Sequence, residues 1–250
     1  MAPMARTLLL IFAHPDDESF LAGGTIARYA AGGTRVVLAT ATLGQKGRVG
    51  DPPICRPEDL PAVREAELRR AAGILGVADI HLLGYGDRDL SEAPSVRVRD
   101  QLVAIIRACR PAVVATFDPN GANLHPDHVA ISRFASDAVS AAADPRFVPS
   151  AGPAHQVGRL AWTAGRHPWQ LVREPDIAAQ AGVDFAIDVR AWRDLKAAAL
   201  RAHATQHRSV ERNFLSQPDG DRLLGWEFFR QAVGPALGRR PSDDLFDGLD

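Results

Sequence analysis

Alternation of strands and helices along the chain predicts an α/β protein, with a mostly parallel sheet flanked by helices. Three observations carry that expectation. The apolar run Thr7 to Ala13 (TLLLIFA) has strand length and lacks polar alternation, as expected of a strand covered on both faces. A second run, Arg35 to Thr42 (RVVLATAT), is rich in β-branched residues. Between Ala62 and Leu75 the apolar residues Val63, Leu68, Ala71, Ala72 and Leu75 recur at helical spacing.

The elements follow in order. After the first strand, Ser19 to Ala31 reads as a helix closed by Gly32-Gly33. The second strand leads into Gly44 to Pro61, a stretch with Pro and Gly that is long for a connection, and long loops are often functional. The helix Ala62 to Leu75 stops at Gly76. Asp79 to Leu83 reads as a short strand, Val96 to Cys109 as a helix, Ala112 to Phe117 (AVVATF) as a strand and Pro126 to Ala143 as a helix. Asp144 to Pro153 reads as a loop crossing to a smaller C-terminal β/α portion. That portion has strands at Arg159 to Ala164 and Asp184 to Val189 and a long helix from Ala191 to His207. Right-handed crossovers between such strands make the whole Rossmann-like. Residues 1–250 read as one domain, with a sub-division near residue 150 as the alternative.

Composition narrows the function classes. The 250 residues are 46% hydrophobic, enough for a sizeable core. Lys plus Arg number 29 against 30 Asp plus Glu, so nothing points to a nucleic acid, whose partners usually carry a basic excess. Two cysteines, Cys55 and Cys109, make neither a disulfide framework nor a thiolate metal site, and they fit a reducing cytoplasm. No segment approaches the roughly 20 apolar residues that span a bilayer, and Leu8 to Ala13 is too short for a signal-peptide core. A soluble cytoplasmic protein without membrane partners is expected, and a homo-oligomer remains open.

The polar motifs fall after strands, where open α/β sheets bind their ligands. His14-Pro15-Asp16-Asp17-Glu18 follows the first strand, and His125-Pro126-Asp127-His128 follows the fourth. A catalytic zinc takes three nitrogen or oxygen ligands and keeps one position open. His14 and Asp17, three apart across a turn, and His128 from a neighbouring strand end are the expected ligands of Zn2+. Asp16 is placed to take a proton from water. His125 could stabilise an oxyanion or protonate a leaving amine, with Asp127 fixing its tautomer. Each motif alone has a plainer reading: the acidic residues complement a helix dipole, and Pro126 marks a helix start. Two such motifs on one binding edge make that reading the weaker one.

Together these residues resemble the PIG-L or LmbE-like family of zinc-dependent deacetylases, which act on N-acetylglucosaminyl compounds. The resemblance extends over Gly23-Gly24-Thr25, Thr42-Leu43-Gly44, Arg64-Glu65-Ala66-Glu67, Gly84-Tyr85-Gly86-Asp87, Asp118-Pro119-Asn120-Gly121 and His203-Ala204-Thr205-Gln206. It implies His14, Asp17 and His128 as ligands, Asp16 as general base, and His125 as oxyanion group oriented by Asp127. It also implies Arg64 and Asp87 as contacts to the sugar or its linked alcohol. Composition alone would leave Arg64 a surface salt-bridging residue. An acylated amino sugar is the implied partner, and an amidase acting on a thiol conjugate is the neighbouring alternative. One departure is Asn123, where thiol-pathway members can place a tyrosine.

The other histidines carry weaker signals. His203 and His207, spaced i, i+4, suit solvent-facing or capping roles better than metal binding. His81 reads as a core histidine, His155 and His167 lack an evident partner, and Cys55 has no charge pattern that would activate it. Two histidines and one carboxylate also describe non-haem iron oxygenases, which the tandem Asp16-Asp17 and the α/β pattern do not favour. A non-catalytic sugar- or metal-binding module would have no use for a spare base. The turn after the first strand lacks Gly-x-Gly-x-x-Gly, which excludes a dinucleotide site there.

Overall fold

A computed structural model describes residues 6–164 and 180–249. Its strands are β1 (Thr7–Phe12), β2 (Arg35–Thr42), β3 (Asp79–Tyr85), β4 (Val113–Thr116), β5 (Arg159–Thr163), β6 (Phe185–Asp188) and β7 (Trp226–Val233). The helices flanking the sheet and the site include α1 (Asp17–Ala31), α2 (Leu60–Leu75), α3 (Ser95–Cys109), the single turn α4 (Gly121–Leu124), α5 (Pro126–Ala142) and α6 (Arg193–Ala202). The strands form one sheet in the order β3-β2-β1-β4-β5-β7-β6. Pairing from β3 through β5 is parallel, and β7 runs antiparallel to both β5 and β6.

The continuous apolar run of β1 is explained by its central place. Leu8, Leu9, Leu10, Ile11 and Phe12 are fully buried, each contributing roughly 1.5–3 kcal/mol through loss of water contact. The chain works outward from β1 through β2 to β3, then returns to β4 on the opposite side of β1. The order of strands therefore reverses between β1 and β4, and a crevice opens at their carboxyl ends. His14 follows one of these strands and His125 to His128 the other.

Strand β7 was not expected, and Glu227 explains why. This carboxylate interrupts the apolar sequence WEFFRQAV, yet it is fully buried. It accepts hydrogen bonds from the backbone N–H groups of Gly24 (2.9 Å) and Thr25 (2.7 Å) and lies 2.7 Å from the equally buried Lys196 ammonium. The Gly-Gly-Thr motif of α1 thus docks the later strands. A Cβ on Gly24 would stand 2.5 Å from the side chain of Val189. Gly24→Ala should therefore cost about 1–3 kcal/mol of stability through overpacking. Urea unfolding measures it; an unshifted midpoint would show that α1 can move away.

The helix expected over Ala191 to His207 is shorter. Helix α6 ends at Ala202 because His203 leaves helical geometry (φ −83°, ψ 63°) and its ring turns into the interior. A 3-10 turn (Ala204–Gln206), a helical turn (His207–Val210) and a π turn (Glu211–Leu215) follow. Among the described residues no helix is long and apolar enough to cross a membrane.

Candidate metal centre

Three side chains converge beyond β1 and β4. His14 Nδ1 lies 3.1 Å from His128 Nε2, and the Asp17 carboxylate approaches these two nitrogens at 3.6 and 3.5 Å. The other nitrogen of each ring is committed. His14 Nε2 faces the carboxylates of Asp127 (3.1 Å) and Asp87 (3.3 Å), while His128 Nδ1 donates to the Gly121 carbonyl at 3.0 Å. In neutral rings those nitrogens hold the protons, so two lone pairs and a carboxylate face one point. Ligands 2.0–2.1 Å from a tetrahedral ion stand about 3.3–3.4 Å apart, which the observed separations match. The donor set fits a divalent metal. The His125 ring stands beside these two, its centroid 4.9 Å from that of His14 and 4.8 Å from that of His128.

Local sequence builds this geometry. Asp17, at the start of α1, accepts from the His14 backbone N–H at 2.8 Å. Asp118 accepts from the N–H groups of Asn120 (3.1 Å) and Ala122 (2.6 Å), folding the turn that carries Gly121 to His128. Burial pushes the Asp17 carboxyl up, but His128 and His14 outweigh it and hold it at about 2. Burial pushes His14 down, and the carboxylates of Asp127, Asp17 and Asp87 more than reverse this, leaving it well above the ordinary histidine range.

Asp127 departs from its expected duty. Its carboxylate does not orient His125; it binds His14 and accepts the backbone N–H groups of Arg88 (2.6 Å) and Leu90 (3.2 Å). The reason is helix capping. His125 is the N-cap of α5, and its Nδ1 accepts from the Asp127 backbone N–H at 3.2 Å, so the Asp127 side chain points inward. The tautomer of His125 is still fixed, by main chain. With Nδ1 accepting, a neutral His125 carries its proton on Nε2 and can donate. Burial and the neighbouring His14 lower its pKa, favouring that neutral form.

Asp16 lies beside His14 and Asp17 with φ 114°, a backbone region that L-residues rarely adopt. Two contacts hold it there. Its N–H donates to Glu18 Oε2 at 3.1 Å, and its carboxylate lies 3.2 Å from the Arg64 guanidinium. Burial pushes the Asp16 carboxyl up to about 7, with Arg64 opposing and Asp17 adding to the shift. Arg64 is buried, not a surface residue. It donates to the carbonyls of Gly44 (3.2 Å) and Pro15 as well as to Asp16. Asp87 accepts from the Lys46 N–H at 2.8 Å besides facing His14. Glu18, in turn, pairs at 2.7 Å with His203 Nε2, both side chains being essentially inaccessible.

His14, Asp16, Asp17, Arg64, Asp87, His125 and His128 all line one cavity of about 530 Å³. Asp127 lies behind it. Sequence reasoning did not single out Glu18 and His203 as a pair, nor Gln206, Ser209, Arg212 and Asn213, which form another part of the wall. The shared motif His203 to Gln206 was the available signal. Its Thr205 fastens Glu67 of α2 through N–H (2.8 Å) and hydroxyl (2.6 Å) contacts. His155 does have a partner, the Pro111 carbonyl at 2.8 Å, and His207 Nδ1 meets the Ala204 carbonyl at 3.1 Å. His167 lies outside the described residues. The Cys55 thiol is pushed up by burial and by Asp59 and Glu67, which disfavours the reactive thiolate.

Known proteins share this arrangement's sequence and shape. A family model described as PIG-L, GlcNAc-PI de-N-acetylase, matches residues 9–139. A 1D-myo-inositol 2-acetamido-2-deoxy-alpha-D-glucopyranoside deacetylase of Geodermatophilus obscurus is 36% identical, over 98% of each chain. A conserved protein of Thermus thermophilus, known by its crystal structure, is 29% identical with a TM-score of 0.71, over 92% of this chain and 95% of that one. An N,N'-diacetylchitobiose deacetylase from Pyrococcus horikoshii shares the fold at a TM-score of 0.71 and 24% identity, over 91% and 84%.

Proposed function

The chain belongs to the PIG-L family of GlcNAc-PI de-N-acetylases, and from that membership we propose that it hydrolyses the N-acetyl group of an N-acetylglucosaminyl substrate, releasing acetate and a free amine. The observation that carries the reading is the convergence of His14, Asp17 and His128 beside a further carboxylate, Asp16, which Arg64 holds. Zn2+ is the ion we assign to this site; bound there it would acidify a water toward neutrality and polarise the acyl carbonyl. Asp16 takes the proton of the attacking water and delivers it to the leaving nitrogen. His125, donating through Nε2, meets the negative charge that develops on the carbonyl oxygen. Asp127 and Asp87 orient His14, the role carboxylates play behind a metal-bound imidazole. We read residues 1–250 as one deacetylase domain, and the two free cysteines suit a cytoplasmic setting.

Amine release from N-acetylglucosaminides, with a simple N-acetyl amine beside them, tests the reading. Release from sugar substrates that needs the metal is expected; release from none would remove it. Arg64 and Asp87 are carried as substrate contacts, each with a second duty. Because Arg64 also holds Pro15 and Asp16, Arg64→Ala should lower kcat on every acyl substrate and not only weaken the sugar's binding. The expected loss in kcat is about tenfold or more, the value of one charge-assisted hydrogen bond near 1.5–3 kcal/mol. A loss confined to KM on sugars would leave Arg64 a substrate contact alone.

A further inference from the structure

The carboxylate assigned as general base stands on backbone that has to be held in place. Asp16 adopts φ 114° and ψ −31°, and a residue in so sparse a region persists only where its surroundings over-determine it. Three contacts do so. Its carbonyl accepts from the N–H groups of Ser19 and Phe20, both at 3.0 Å, and so starts α1. Its carboxylate meets the Arg64 guanidinium at 3.2 Å. Its N–H donates to Glu18 Oε2 at 3.1 Å.

The third contact is more elaborate than a helix start requires. A carboxylate that only caps a helix can do so from the surface, whereas Glu18 is fully buried. Its second oxygen, Oε1, accepts from the Ser19 hydroxyl at 2.6 Å and from His203 Nε2 at 2.7 Å. With Oε1 held on that side, Oε2 is turned toward the Asp16 N–H. His203 comes from the far end of α6, 185 residues along the chain, and is itself fully buried. Its Nδ1 meets no hydrogen-bond partner among the described residues. A histidine that only filled the core would be expected to satisfy both ring nitrogens. This ring leaves one bare and commits the other to Glu18.

We propose that Glu18 and His203 are positioning residues for the hydrolysis: His203 fixes the side chain of Glu18, Glu18 fixes the backbone of Asp16, and Asp16 is thereby aimed at the water whose proton it takes. The inference rests on the deacetylase reading with Asp16 as its base. Neither Glu18 nor His203 lines the cavity, so both act through Asp16 and not on the substrate. Release of the Asp16 N–H would let φ relax toward the ordinary region and swing the carboxylate away. A displacement of about 1 Å at a reacting group can cost roughly a hundredfold in rate.

The test is a set of kinetic cycles on the metal-loaded full chain, with the N-acetylglucosaminide that the wild-type protein deacetylates best. His203→Gln puts an amide donor near the place of Nε2 and should retain most of kcat. His203→Leu, of similar size, lacks the donor and should lower kcat about ten- to a hundredfold, with KM within about twofold and metal per chain unchanged. Leucine alone leaves Glu18 a buried charge with one partner fewer, which can unfold the chain; Glu18→Leu combined with His203→Leu removes both partners, should fold, and should show the same loss. In the Asp16→Asn background both losses should shrink to within about threefold, because nothing is left to position. A merely structural role would move stability, metal content or KM, and its effect would carry over in full to that background. Wild-type kcat in the folded double variant, equal losses in His203→Gln and His203→Leu, an undiminished loss beside Asp16→Asn, a loss that tracks metal content, or failure of the double variant to fold would overturn the proposal and leave the deacetylase reading standing. Amine release from no N-acetylglucosaminide by the wild-type protein would remove both.

Discussion

Replacing His128 by alanine should strip the protein of its metal and lower deacetylation by on the order of 10³-fold or more. The size follows from what is lost. With His128 gone, the site keeps one imidazole lone pair and one carboxylate, and a catalytic zinc needs three protein ligands to stay bound at ordinary free concentrations. Losing several kcal/mol of stabilisation at the carbonyl, at about 1.4 kcal/mol per decade, gives at least three decades. His14→Ala should do the same and also leave Asp127 and Asp87 facing each other without the imidazole between them. Metal content per chain and turnover on one substrate preparation are the paired measurements. A doubly substituted protein that still binds one metal per chain and turns over normally would place the metal elsewhere.

Asp16→Asn should keep the metal and lose about 10²–10⁴-fold in kcat. Asparagine suits this test for a conformational reason. Asp16 holds φ 114°, and among residues other than glycine, Asn and Asp accept positive φ most readily. Alanine there would add strain of about 1–3 kcal/mol to the chemical loss and confuse the two. The amide keeps size and shape and can still meet the Arg64 guanidinium through its oxygen, but it cannot take a proton from water. A metal-loaded Asp16→Asn protein with wild-type turnover would transfer the base role to another residue.

The parts of the site that could be read from sequence are those built from short-range order. His14 and Asp17 share one turn after a strand whose apolar run announces it, and His128 follows a second strand with Pro126 marking the helix start. The sheet around them was legible for the same reason, since β1, β2 and β4 are covered on both faces and carry no charged residues inside. What escaped was held by long-range pairing of charges. Glu18 looks like one more acid at a helix start until His203, 185 residues later, meets it in the interior. Glu227 looks like a residue that ends a strand until Lys196 and two helix N–H groups satisfy it. The orientation of Asp127 escaped for a subtler reason: its side chain and its backbone N–H serve different histidines, and sequence order cannot separate the two.

The link between Glu18 and His203 also divides the protein's labour. The proposed ligands, base and oxyanion group all precede residue 139, within the span the family model covers. Gln206, Ser209, Arg212 and Asn213, which line the same cavity, come from the segment that follows His203. Two buried fasteners, Glu18 with His203 and Glu67 with Thr205, fix where that segment begins. The proposed hydrolytic residues and one part of the cavity wall therefore come from separate stretches of chain, joined at a buried seam. Substitutions beyond the seam should reshape that part of the wall while leaving His14, Asp16, Asp17, His125 and His128 on a scaffold of their own.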